Sequence, residues 1–83
     1  MLNELGKTLL QQIAACHDYI SSEELSKICN VSINTIRKEI DLINDYLRGH
    51  GCFIDTKIAA GYFLTLAQPG LARTFLANML KEF

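Results

Sequence analysis

Eighty-three residues, 49% apolar and 20% charged, describe one small packed domain and exclude both a disordered chain and two independent cores. Eight basic and nine acidic residues give a formal charge of −1, so no bulk positive field marks this chain for nucleic acid. Any binding of a polyanion has to rest on a local patch.

Leu2, Leu5, Leu9, Leu10, Ile13 and Ala14 recur at helical spacing, which predicts an amphipathic first helix over about residues 3–16. His17-Asp18-Tyr19 interrupts that pattern, and Ile20 is expected to form a short extended segment. Ser21-Ser22-Glu23-Glu24 is a capping box, in which Ser21 accepts from the amide of Glu24 and the Glu24 carboxylate reaches back. Two acids in the first turn also suit the helix dipole. The second helix should run to about Cys29, with Leu25, Ile28 and Cys29 as its apolar side. Asn30 tolerates the left-handed conformation that closes a helix, and Ser32 is the next N-cap after Val31.

Ile33, Ile36, Ile40, Ile43 and Leu47 then step by three and four, a buried stripe along a third helix that Gly49 stops. Asn34, Lys38, Asp41 and Asp45 project almost opposite to that stripe, flanked by Arg37 and Arg48. After Gly51 the period changes to two. Cys52 and Ile54 alternate with Phe53 and Asp55, and Tyr62, Leu64 and Leu66 alternate with Phe63 and Thr65. The segment from Thr56 to Gly61 reverses the chain between them, giving an antiparallel hairpin.

This alternation turns Phe53 and Phe63 away from the core. The second face of the hairpin therefore needs a cover, either the next helix through Phe75, Leu76 and Met79 or a partner molecule. Gln68-Pro69-Gly70 ends the hairpin, and Leu71, Phe75, Leu76, Met79 and Leu80 mark a fourth helix expected to reach the last residue. It carries no stop signal, so a continuation into further domains is expected.

Two helices joined by a three-residue turn, the second longer and capped by serine, describe a helix-turn-helix. With the hairpin directly after it, the fold class is mainly α (α+β). It is a winged helix-turn-helix with a three-helix core, a two-stranded β-hairpin wing and an extra C-terminal helix. Residues 1–67 form the expected winged unit, and residues 68–83 a helix serving as linker or dimerisation element.

The run YISSEELSKICNVSINTIRKEIDLINDYLRGHGCFIDTKIAAGYFL resembles the N-terminal winged helix-turn-helix of bacterial phosphotransferase-system transcriptional regulators and antiterminators. It is more distantly similar to the DNA-binding domain of the biotin operon repressor. The resemblance covers about residues 5–66 and rests on I-S-x-E-E-L, V-S-x-x-T-I-R-x-x-I and G-Y-x-L. It implies sequence-specific binding of double-stranded DNA, with the third helix in the major groove. Ser32 and Thr35 would touch phosphates, Asn34 and Lys38 would face base edges, and Arg37 would reach a base or phosphate. Lys57 and its neighbours in the wing would meet the backbone or a minor groove.

The chemistry suits those roles, since Asn pairs with adenine and Lys donates to guanine acceptors. From Ser32 to Lys57, however, four basic residues (Arg37, Lys38, Arg48, Lys57) face four acidic ones (Glu39, Asp41, Asp45, Asp55). A single copy should bind weakly, and a homodimer reading two half-sites is expected.

Other readings compete with this one. Taken alone, Arg37 and Lys38 are an ordinary solvated helix face, and capping by itself explains Ser21 and Ser32. The neutral charge and outward phenylalanines suit a winged helix used for protein–protein contact or dimerisation without DNA. An enzyme is not expected: no phosphate loop or nucleophile elbow is present. Cys16-His17 and His50-x-Cys52 match no zinc spacing, and no metal or other cofactor is expected. Three cysteines within apolar patterns fit a reducing cytoplasm better than a disulfide framework. No signal peptide and no apolar run of the roughly 20 residues that span a bilayer are visible.

Overall fold

Asn3 opens the first helix. Its side chain accepts from the Gly6 amide at 2.7 Å, supplying a partner to one of the orphan donors of α1 (Glu4–Ala15). The same side chain donates from Nδ2 to Glu39 Oε1 at 3.3 Å, tying the start of α1 to the third helix. The computed structural model describes residues 2–80, and the expected end of the last helix at residues 81–83 lies outside them.

The second helix, α2 (Ser22–Cys29), is capped by Ser21, whose Oγ accepts from the Glu24 amide at 3.1 Å. Only this half of the expected capping box forms. Glu24 is exposed, and among the described residues its carboxylate has no hydrogen-bond partner. Asn30 closes α2 in the left-handed conformation, φ 56° and ψ 47°. Its amide and that of Val31 both donate to the Ser26 carbonyl, while Ser26 Oγ donates back to the Val31 carbonyl. These bonds fix the sharp turn into α3 (Ile33–Leu47), which Ser32 caps.

The stripe read from the sequence is the core face of α3. Ile36, Ile40, Ile43 and Leu47 are buried, and Ile33 at its edge is half-buried. Against it pack Leu9, Leu10 and Ile13 of α1 and Leu25 of α2. Ile28 departs from its expected place on the apolar side. It is 49% exposed, because the short α2 buries only Leu25 against the core.

The hairpin consists of β1 (Cys52–Lys57) and β2 (Gly61–Leu66), antiparallel, with Ile54 opposite Leu64 and Asp55 opposite Phe63. Cys52, Ile54 and Tyr62 face the core. Ile20 adds a single extended residue beside β2, its N–H and carbonyl exchanging bonds with Tyr62 at 2.9 and 2.8 Å. The last helix, α4 (Pro69–Leu80), lies against β2 and sends Ala72 and Met79 into the same core.

The outer face of the hairpin is covered differently from the expectation. Phe75 of α4 does not reach Phe63. It stacks on His50, centroids 3.9 Å apart, and tilts against Tyr46 at 5.8 Å. Phe63 is instead covered by Tyr19, with ring centroids 5.3 Å apart, and Phe53 stays 42% exposed. The cover comes from the α1–α2 connection, because Ile20 is bonded to β2 and carries its neighbour across the wing.

Candidate nucleic-acid interface

The turn between α2 and α3 orients the first two turns of α3 outward. Ser32 Oγ accepts from the Thr35 amide at 3.2 Å and shares a hydrogen bond with Thr35 Oγ1 at 2.9 Å. Ser32 is exposed and Thr35 half-buried, so both hydroxyls serve the cap while Ser32 keeps a face to solvent. Asn34, Arg37 and Lys38 follow, all exposed. Among the described residues none of these three side chains holds a hydrogen bond or ion pair. The tip of this helix therefore offers two cations and an amide without internal partners.

The acids nearby are differently disposed. Glu39 accepts from Asn3 on the α1 side of the helix. Asp45 pairs with Arg48 at 3.0 Å near the far end of α3, an exposed i,i+3 pair that contributes little to stability but holds both charges together. Asp55 accepts from the Tyr19 hydroxyl. Of the four acids between Ser32 and Lys57, only exposed Asp41 lies on the outer face of α3 without a partner among the described residues. The neutrality of the segment hides a polarised helix, positive in its first half.

The hairpin brings Lys57 to this end of the molecule. Arg37 and Lys57 line one cleft of about 340 Å³, with Ser21, Ser22 and the exposed acid Glu23 at the start of α2 and Ile58 on the wing. The structure thus joins two of the sequence-derived candidates, from α3 and the wing, while Asn34 and Lys38 are exposed on α3 and outside the lining of that cleft. Lys57 Nζ sits 5.2 Å from the centroid of the Tyr19 ring. Accepting the phenol's hydrogen bond, the Asp55 carboxylate holds the Tyr19 ionisation above its ordinary value near 10, with desolvation and the charges of Asp55 and Asp18 adding to it.

Tyr19 is the wing contact that sequence reading passes over. It falls in an irregular tripeptide, and its partner Asp55 is 36 residues away. A second is Asn44, whose side chain accepts from the Ile54 amide at 2.7 Å and donates to the Ile54 carbonyl at 3.2 Å. It fixes the wing to α3 and occupies the free edge of β1. An aromatic next to a strand-forming residue, and an Asn within the last two turns of a helix preceding a hairpin, are the faint signals available.

No three His, Cys, Asp or Glu among the described residues stand close enough to hold a metal ion. Burial pushes the thiols of Cys29 and Cys52 above their ordinary range, which disfavours the thiolate. No helix among the described residues is long and apolar enough to cross a membrane.

A relative named the probable licABCH operon regulator, from Bacillus subtilis (strain 168), is 26% identical over 82 residues. The match takes in 99% of this chain but 13% of that protein, so the chain spans only a small part of the relative's length. The crystal structure of ScpB from Mycobacterium tuberculosis superposes with a TM-score of 0.71 over 95% of this chain and 53% of that one. At 15% identity this likeness shows a shared fold. A family model described as an HTH domain matches residues 7–63, from α1 to β2. That span contains α2 and α3 with their caps, the Asn30 turn, β1 and the start of β2, and the chain belongs to this family of helix-turn-helix domains.

Proposed function

We propose that this chain is the double-stranded DNA-binding module of a transcription regulator and that it reads sequence with α3 in the major groove. The carrying observation is the shared geometry of α3 and the wing. Arg37 and Lys57 line one cleft, while Asn34 and Lys38 are exposed on α3 with no side-chain partner among the described residues. Family membership supports DNA as the partner, and the regulator named above supports transcription control. Arg37, Lys57 and the Ser32 hydroxyl suit backbone phosphates, as does Thr35 beside them; Asn34 and Lys38 suit base edges. In this reading residues 1–67 carry the DNA contacts. Residues 68–83 link to a second copy or to further regulatory domains, which by resemblance respond to the phosphotransferase system in the cytoplasm. The module acts by binding and not by catalysis, with a homodimer supplying two half-sites.

Titration against a 20-base-pair duplex between 50 and 200 mM salt tests this reading. Binding should weaken steeply with salt, and Lys38→Ala should lower the slope of log K against log salt by about 1. A confirmed dimer that binds no duplex at low salt would overturn it. The competing reading, a protein-interaction module, draws on the exposed Ile58, Leu42 and Phe53, of which Ile58 at the wing tip is 97% exposed.

A further inference from the structure

The wing carries one acid and one base on its outer face, Asp55 and Lys57, two residues apart on β1 and therefore on the same side of the strand. Left to themselves they are a neighbouring opposite-charge pair, and a direct ion pair would turn the ammonium toward the carboxylate and away from a phosphate. Tyr19 intervenes between them. The pair of backbone hydrogen bonds between Ile20 and Tyr62 lays the α1–α2 connection along β2. From there the Tyr19 ring crosses Phe63, the register partner of Asp55. Its hydroxyl donates to the Asp55 carboxylate, and its ring lies under the Lys57 ammonium, 5.2 Å from centroid to Nζ. A lysine at the end of an exposed strand otherwise samples many rotamers, and an aromatic face restricts that freedom.

We propose that Tyr19 is the positioning residue of the wing: it engages Asp55 and holds Lys57 on its ring, so that the cation is presented to a DNA backbone phosphate at the outer face of the wing. This rests on the DNA-binding reading above. The contact with DNA belongs to Lys57, and Tyr19 acts through it. The α1–α2 connection, which itself touches no DNA in this account, thereby sets how well the wing binds.

The test has two arms on the 83-residue chain. In the free protein, NMR should show the Lys57 side-chain methylene protons shifted upfield by the Tyr19 ring, and Tyr19→Leu should abolish that shift. In the second arm, wild type, Tyr19→Leu, Tyr19→Phe, Lys57→Ala and the Tyr19→Leu/Lys57→Ala double variant are titrated with a generic 20-base-pair duplex at 50 mM salt. Thermal melts establish the folded fraction of each.

Tyr19→Leu should weaken binding about two- to five-fold, the scale of an exposed cation–π contact. The double variant should bind no worse than Lys57→Ala. Tyr19→Phe keeps the ring but frees Asp55, and should fall between wild type and Tyr19→Leu. Absence of the upfield shift in wild type would overturn the proposal, as would Tyr19→Leu and Lys57→Ala effects that simply multiply. If wild type shows the shift yet binds no duplex, the DNA-binding reading fails and takes this role with it. Binding with independent effects removes the Tyr19 role alone.

Discussion

Gly61 begins β2 at φ +108°, with the Ile20 backbone directly over its α-carbon. A β-carbon there would meet the Ile20 carbonyl oxygen at 2.1 Å and its carbon at 2.6 Å. Gly49 shares the positive φ, +84°, but a β-carbon would meet nothing within 4 Å. The pair separates backbone strain from steric collision. Gly49→Ala should cost about 1–2 kcal/mol, the strain alone. Gly61→Ala should cost about 2–5 kcal/mol, because the extended segment at Ile20 must also move. Denaturant unfolding measures both costs, and faster amide exchange at Tyr62 would localise the second. Equal costs at the two sites would show that the Ile20 contact is soft. Gly61 reads from the sequence as an ordinary turn glycine; the reason for it lies 41 residues upstream.

At the scale of elements, the wing is joined to α3 by a side chain that imitates a strand. Asn44 gives the Ile54 amide and carbonyl the two partners that a neighbouring β-strand would have supplied. Asn44→Ala should destabilise the fold by about 1–3 kcal/mol, the cost of leaving partly buried backbone groups unpaired. The specific check is the Ile54 amide, which should exchange faster than its neighbours on β1. A variant with wild-type Ile54 protection would mean that water replaces the side chain without loss. The α2–α3 turn behaves in the opposite way: Asn30, Ser26 and Ser32 satisfy it with local bonds, so it is legible residue by residue.

Across the whole molecule, charge and packing divide along the chain. The first half of α3 and the wing tip hold Arg37, Lys38 and Lys57, whereas Arg48 is held by Asp45 at the opposite end of the helix. This distribution lets a chain of charge −1 gather three cations at one edge, with Glu23 the acid lining the cleft of Arg37 and Lys57. On the side of α4, Ala72 and Met79 are buried and Phe75 stacks on His50. A chain ending at Ala67 would keep every proposed DNA contact and lose that packing. Its stability should fall by about 3–5 kcal/mol, from one buried methionine, a buried alanine and an aromatic pair. Against a usual total of about 5–15 kcal/mol, this is a large share. Denaturant midpoints of the two chains measure it. An unchanged midpoint would show that α4 is an appendage.

The sequence by itself determined the order of elements, the Ser21 and Ser32 caps and the buried stripe of α3, because these depend on contacts between residues a few positions apart. Ile28 and Leu71, expected on apolar faces, are exposed. Helical steps of three and four on α3, the alternation after Gly51 and the Asn30 turn all appear in the structure where the residues placed them. It also nominated Asn34, Arg37, Lys38 and Lys57 by their chemistry. Tertiary structure alone decided which of them converge, since the cleft of Arg37 and Lys57 depends on how the hairpin folds back toward α3. It also decided what covers the wing. Tyr19 over Phe63 and Asn44 along Ile54 are pairings set by packing, and no periodicity in a single chain records a contact between residues so far apart or joined by a side chain imitating a backbone.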